Sequence, residues 1–191
     1  MKNLGSLCKS AVASLAVCLL AANSALAGPF GTSMGDSADR FEGARAVAEN
    51  VYITASMPQN EPGFNGYMLN FTDGALSAVS AFADDDAAQE NFLMLFTSTM
   101  EKLINAYGEP AENIDPIWAE ELGKLPSAEE LKVKLHQNVL VPFGAAWDVK
   151  NDADDIASAQ LVLLPAGQDR CAVIVSYFYK NYVDEEAALA E

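Results

Sequence analysis

The 191-residue sequence holds one imidazole, His136, and three thiols, Cys8, Cys18 and Cys171. Zinc is held by clusters of Cys and His, so this count excludes a zinc site built mainly from those ligands. A Ser-His-Asp triad would have to use His136, which falls near the end of a predicted helix, where a cation is mildly favoured and a surface or capping role follows. Cys171 opens the apolar run Cys-Ala-Val-Ile-Val. A buried, inert thiol is the usual outcome there, with an intermolecular or redox role as the alternative. Carboxylates remain. Glu120 and Glu121 follow Trp118, and an aromatic beside paired acids suits sugar binding or acid–base hydrolysis if the two acids converge in a cleft. Asp84 to Asp86 and Asp152, Asp154 and Asp155 invite calcium. A loop starting at Asp152 has Ile156 and Ala157 where an EF-hand needs an acid and a glycine. A solvated turn and a helix N-terminus are the expected roles of the two clusters. There is no Gly-x-x-x-x-Gly-Lys or Gly-x-Gly-x-x-Gly cradle. The reading assigns no catalytic residue, no metal ligand and no cofactor.

The first 27 residues read as an export signal. Lys2 and Lys9 precede an apolar run of 12 residues, Ala11 to Ala22, in which Ser14 is the one polar residue, and Ala25-Leu26-Ala27 places small residues before Gly28. The run is shorter than the ~20 apolar residues of a spanning helix. Cys18 lies inside it, so lipoprotein processing is not expected. Cleavage between Ala27 and Gly28 would leave 28–191 as a periplasmic or secreted chain. It would remove two of the 11 basic residues and none of the 27 acids, taking the formal net charge from −16 to −18. Such a charge opposes nucleic acid, nucleotides and anionic lipid. It suits a basic or envelope protein as partner. After cleavage the chain is not expected to be an integral membrane protein. Hydrophobic residues make up 51% of the sequence, too many for an acidic disordered chain.

The elements that must position any site follow from periodicity. Asp36 or Ser37 could cap a helix continued by Phe41, Ala44, Arg45 and Ala48. Strands are expected at Val51–Ser56, Tyr67–Phe71 and Leu76–Phe82, the last two joined by an Asp73-Gly74 hairpin. Phe92, Phe96, Met100, Leu103, Ile104 and Tyr107 repeat at helical spacing, predicting a long amphipathic helix over about 86–107, stopped by Gly108 and Pro110. Asn113–Lys124 reads as a short helix or crossover. Ser127 and Glu130 form a capping box for a helix carrying Leu131 and Leu135. Strands follow at Val139–Val149, Ala159–Leu163 and Cys171–Tyr182, then a short helix from Asp184. The expected fold is a single α+β domain over 28–191. It is an antiparallel sheet of about six strands in two three-stranded groups, packed on the long helix with shorter helices. Two αβββα halves leave an internal repeat open.

Several patterns together resemble small exported bacterial proteins of unknown function. They are Pro29-Phe30-Gly31 with Met34-Gly35, Phe64 with Tyr67, Tyr107-Gly108-Glu109-Pro110, Ile117-Trp118 and the aromatic last strand. The resemblance implies export and an α+β fold, and no activity. The Gly35-Asp36-Ser37 start and the helix-then-strands order are also similar to β-lactamase-inhibitor-like domains. That fold is shared with a small lipoprotein of outer-membrane assembly, whose acylated Cys this chain lacks.

Three functions are weighed. The first is a non-enzymatic protein-binding module using an acidic or aromatic surface. The second is a small-ligand module with a pocket between sheet and long helix, walled by Trp118 or Trp147. The third is a carboxylate hydrolase using Glu120 and Glu121. Candidate surface residues are Trp118, Glu120, Glu121, Tyr179 and Tyr182. The aromatics Tyr177 to Tyr179 and Tyr182 belong either to the core or to a binding surface.

Overall fold

The computed structural model describes residues 28–83, 89–114, 143–150, 155–165 and 171–183. They form one antiparallel sheet of eight strands and one long helix. The strands are β1 (Arg45–Ala48), β2 (Val51–Thr54), β3 (Gly66–Thr72), β4 (Ala75–Ala83), β5 (Glu112–Ile114), β6 (Phe143–Asp148), β7 (Ile156–Pro165) and β8 (Cys171–Tyr179). The helix α1 runs from Gln89 to Tyr107 between β4 and β5.

The spatial order is β1-β2-β3-β4-β8-β7-β6-β5. Each half of the chain is therefore a four-stranded meander, and the two meanders join where β4 pairs β8, Val79 opposite Tyr177 and Ala81 opposite Val175. This replaces the expected six strands in two groups of three. The extra strands are the short outer ones, β1 and β5. Three residues are too few to show an alternating pattern, which is why β5 hid inside the expected Asn113–Lys124 crossover.

The helix expected from Asp36 or Ser37 onward is absent. Instead there is a single 3₁₀ turn at Ala38–Arg40, followed by the edge strand β1. The Asp36 carboxylate accepts from the Ser33 N–H at 2.8 Å and pairs with Arg40, so it closes a local turn rather than capping a helix. Gly43 then takes φ +78°, a left-handed conformation that ends helical geometry. Ala44, Ala46 and Ala48 suit a helix by propensity, but pairing with β2 in a hairpin turned by Asn50 (φ 58°) overrides it. The Asp73-Gly74 hairpin is present, both residues at positive φ. The strand expected to reach Tyr182 stops at Tyr179, and Tyr182 closes a turn back onto the Tyr179 carbonyl. The expected helices from Ser127 and Asp184, and the stretches 115–142 and 184–191, lie outside the described residues.

The core lies between α1 and one face of the sheet. Phe92, Phe96, Thr99 and Leu103 are buried, at helical spacing, while Asn91, Met94 and Ser98 are exposed. The helix packs over β7 and β8. Beneath it lie Leu161, Leu163, Val173 and Val175, all at most 1% exposed. The other half of this layer comes from irregular chain. Phe30, Phe41 and Met57 join the same core as Tyr67, Leu69 and Val79 of β3 and β4. Trp147 of β6 is buried, and its indole N–H donates to the Gly108 carbonyl at 2.9 Å, tying the end of α1 to the sheet.

Candidate functional site

The described residues enclose a cleft of about 530 Å³ between the first half of α1 and the loop that leads into β3. Helix spacing builds one wall. Asn91, Met94, Leu95 and Ser98 recur every three or four residues, so they share a side of α1 that is rotated away from Phe92 and Phe96. Gly63, Phe64 and Asn65 form the other wall, and Phe92 and Ala83 the floor. Among the described residues the lining has no charged side chain. Met94 is 66% exposed at the mouth, where its flexible apolar side chain can close on a ligand.

The loop wall is held at both ends and in the middle. Glu61 pairs with Lys102 of α1, and the Glu61 N–H donates to the buried Tyr67 hydroxyl at 2.9 Å. The Asn65 N–H donates to the Phe82 carbonyl at 3.1 Å, and the Gln59 N–H to the Phe30 carbonyl at 3.0 Å. Gly63 sits at φ +92°, and a Cβ there would meet Leu95 Cδ1 at 2.8 Å. The left-handed backbone is what calls for glycine here; the Leu95 methyl is the end of a flexible side chain and can give way. The cleft is thus pre-formed, which lowers the ordering cost of anything that binds in it.

Of the residues singled out from sequence, Ala27, Trp118, Glu120, Glu121 and His136 lie outside the described residues, as do the acidic clusters except Asp155. Trp147 walls no open pocket, because its ring is buried and its N–H is used on Gly108. Tyr179 is not a surface residue. It is 2% exposed, and its hydroxyl lies 2.5 Å from Thr32 Oγ1. Burial pushes its phenol up to about 12, assisted by the charges of Asp36 and Asp155. Burial also raises Tyr177, helped by Tyr107 and Glu61. Neither phenol ionises near neutral pH. Tyr182 is 37% exposed and stacks edge-on against Phe178. Gly28 is half-buried, and a Cβ there would meet the Thr32 carbonyl at 2.7 Å and the Tyr179 hydroxyl at 3.2 Å. Residues 28–32 are therefore packed chain, not a loose end.

Cys171 is fully buried and its thiol is pushed up to about 11 by desolvation, the state of an unreactive core cysteine. Among the described residues no three His, Cys, Asp or Glu side chains converge as metal ligands would, and no helix is long and apolar enough to cross a membrane. No Gly-x-Ser-x-Gly elbow is expected from the sequence, yet Gly31-Thr32-Ser33-Met34-Gly35 does fit the pattern. It lies after a 3₁₀ turn rather than between a strand and a helix, and the Ser33 N–H is bound to Asp36. A nucleophile elbow needs the strand–turn–helix setting, so the pattern is coincidental here.

The cleft itself was not anticipated. Its signal was nevertheless present. Met94 and Leu95 are apolar residues that do not belong to the buried series Phe92, Phe96, Leu103, and a helix that spends apolar side chains off its buried face needs a second contact for them. Family models, curated proteins and solved structures contain no match to this chain.

Proposed function

We propose that the chain is an exported, non-enzymatic binding protein whose recognition site is the cleft between α1 and the Gly63–Asn65 loop. The observation that carries the reading is a cavity of about 530 Å³ whose described lining carries no charge, with Met94 standing 66% exposed at its mouth. That volume lies within the ~300–1,000 Å³ of small-molecule sites. The ligand class is an uncharged apolar molecule, or the apolar part of one. At the rim Asn91 can donate or accept, and the Ser98 hydroxyl, which donates to the Leu95 carbonyl at 3.1 Å, can accept, so the two can orient a ligand. The leader-like residues 1–27 support export to the periplasm or beyond, and the resemblance to small exported bacterial proteins agrees with that.

A second reading rests on the charge. With 27 acids against 11 bases, a basic envelope protein could be steered to this chain and seat one apolar side chain in the same cleft. Native mass spectrometry of the chain isolated gently from its host tests both. A retained small apolar molecule supports the first reading, and a retained basic polypeptide the second. The bare chain, with no saturable binding of apolar compounds added afterwards, contradicts both.

A further inference from the structure

We propose that the face of the sheet turned away from α1 is the interface between two copies of this chain. The inference is independent of the cleft. Strand pairing places Phe82 beside Ile174 and Ile174 beside Val162 in one cross-strand row, with Met68 and Leu164 on neighbouring positions of the same face. All five are half-buried, and none belongs to the core or to the side chains packed against it. The Phe82 ring lies over Gly66, where a Cβ would come within 2.2 Å of it, so the largest side chain lies flat along the sheet. Ser80 and Ser176 in the middle bond to each other at 2.8 Å, which reduces the cost of drying this surface.

Two arguments select a second copy as the occupant. The first is charge. A chain of formal charge −16 repels its own kind, yet from β2 across to β6 this face bears a single charged position, Asp148. The row that starts at Arg45 on β1 runs through Ile53, Met68, Ser80 and Ser176 and ends at the register position of Glu112 on β5. A twofold axis parallel to the strands, at the β4–β8 seam, lays β1 of each copy over β5 of the other. It sets Arg45 against Glu112 twice, the self-complementary pattern a twofold contact requires. The second argument is area. Six strands about 4.8 Å apart and seven residues at about 3.3 Å give a projected face of roughly 650 Å². Corrugation brings this close to the ~800 Å² per partner of a standard stable interface. Face-to-face packing of two sheets is an ordinary arrangement.

The test is sedimentation equilibrium of the chain expressed with its leader and purified, over a hundredfold range of concentration. The expected result is a dimer that Ile174→Asp converts to monomer while the far-ultraviolet circular dichroism stays unchanged. Should Ile174→Asp unfold, Ile53→Lys on β2, one strand in from the edge, serves the same purpose. Arg45→Glu is expected to weaken the dimer about tenfold, and Arg45→Glu with Glu112→Arg to restore it. A wild-type monomer throughout the range overturns the proposal. That includes a monomer whose β4 and β8 amides are strongly protected from exchange, which would mean that another part of the same chain covers the face. A dimer indifferent to Ile174→Asp and Ile53→Lys overturns it as well.

Discussion

Replacing Thr32 by Val should cost more than replacing Tyr179 by Phe, because it removes two hydrogen bonds where the other removes one. The Pro29 carbonyl, 2.6 Å from Thr32 Oγ1, can only accept, so the Thr32 hydroxyl donates to it. Tyr179, 2.5 Å away on the other side, must then donate to Thr32. Tyr179→Phe removes the final donor and leaves Thr32 still bonded to Pro29. The expected loss is one net hydrogen bond, about 1 kcal/mol. Thr32→Val instead strands the Tyr179 hydroxyl in a site that is 2% exposed. That adds about 1–3 kcal/mol for an unsatisfied buried polar group, or roughly 2–4 kcal/mol in all. For a chain of this size about 1 kcal/mol moves the melting point by about 2–4 °C. Tyr179→Phe should therefore lower it by about 2–4 °C, and Thr32→Val by about 4–16 °C. Urea unfolding of both single variants and the double variant measures the costs directly. In the Thr32→Val background, Tyr179→Phe should be neutral or stabilising, because it removes the stranded hydroxyl. Equal costs, or costs that add in the double variant, would refute both the assigned donors and the packing of residues 28–32 against β8.

Alkali should destabilise the fold through Tyr177 and Tyr179. Burial raises both phenols in the folded state, Tyr179 to about 12. Their stabilisation is complete below the ordinary phenol value of about 10 and is lost as pH rises from there toward 12. A spectrophotometric titration should accordingly show some tyrosines ionising normally and others only as the protein unfolds. All six tyrosines titrating together near pH 10 would contradict the burial. Cys171 should resist a thiol reagent at pH 8 in the folded chain and react fully in denaturant; rapid reaction without denaturant would show an open site there. Trp147→Phe removes the bond to the Gly108 carbonyl and should cost about 1–2 kcal/mol, with faster amide exchange at Ile104 to Gly108. An unchanged exchange profile would mean that the indole does not anchor α1.

How much of this was legible before the structure differs from one element to the next. The helix at Gln89–Tyr107 and the Asp73-Gly74 hairpin are local patterns, set by spacing or by two adjacent residues, and both were readable. The segment from Ala38 to Ala48 was misread because alanines favour a helix in isolation, whereas its strand depends on pairing with Val51 to Ile53. Nothing local announces that Glu112 to Ile114 pairs with Gly144 to Ala146, nor that β4 meets β8 across more than 90 residues of chain. The cleft is a product of the same non-local geometry. Gly63 and Leu95 come from segments that periodicity analyses separately, and only the fold puts them in contact. Tyr179 failed as a surface candidate for a related reason. Alternation along β8 sends Tyr177 and Tyr179 to the face shared with the core, and sequence cannot say which face that is.

That the cleft beside α1 receives an uncharged apolar group is tested by fluorescence titration of the chain with N-phenyl-1-naphthylamine, a neutral apolar probe, against the Met94→Glu variant. Met94 is exposed, so the substitution should leave the melting point within about 1–2 °C. It should weaken a saturable, single-site probe interaction by tenfold or more, and binding to the parent should not change between low and high salt. No saturable binding, or equal affinity in parent and variant, would contradict the claim.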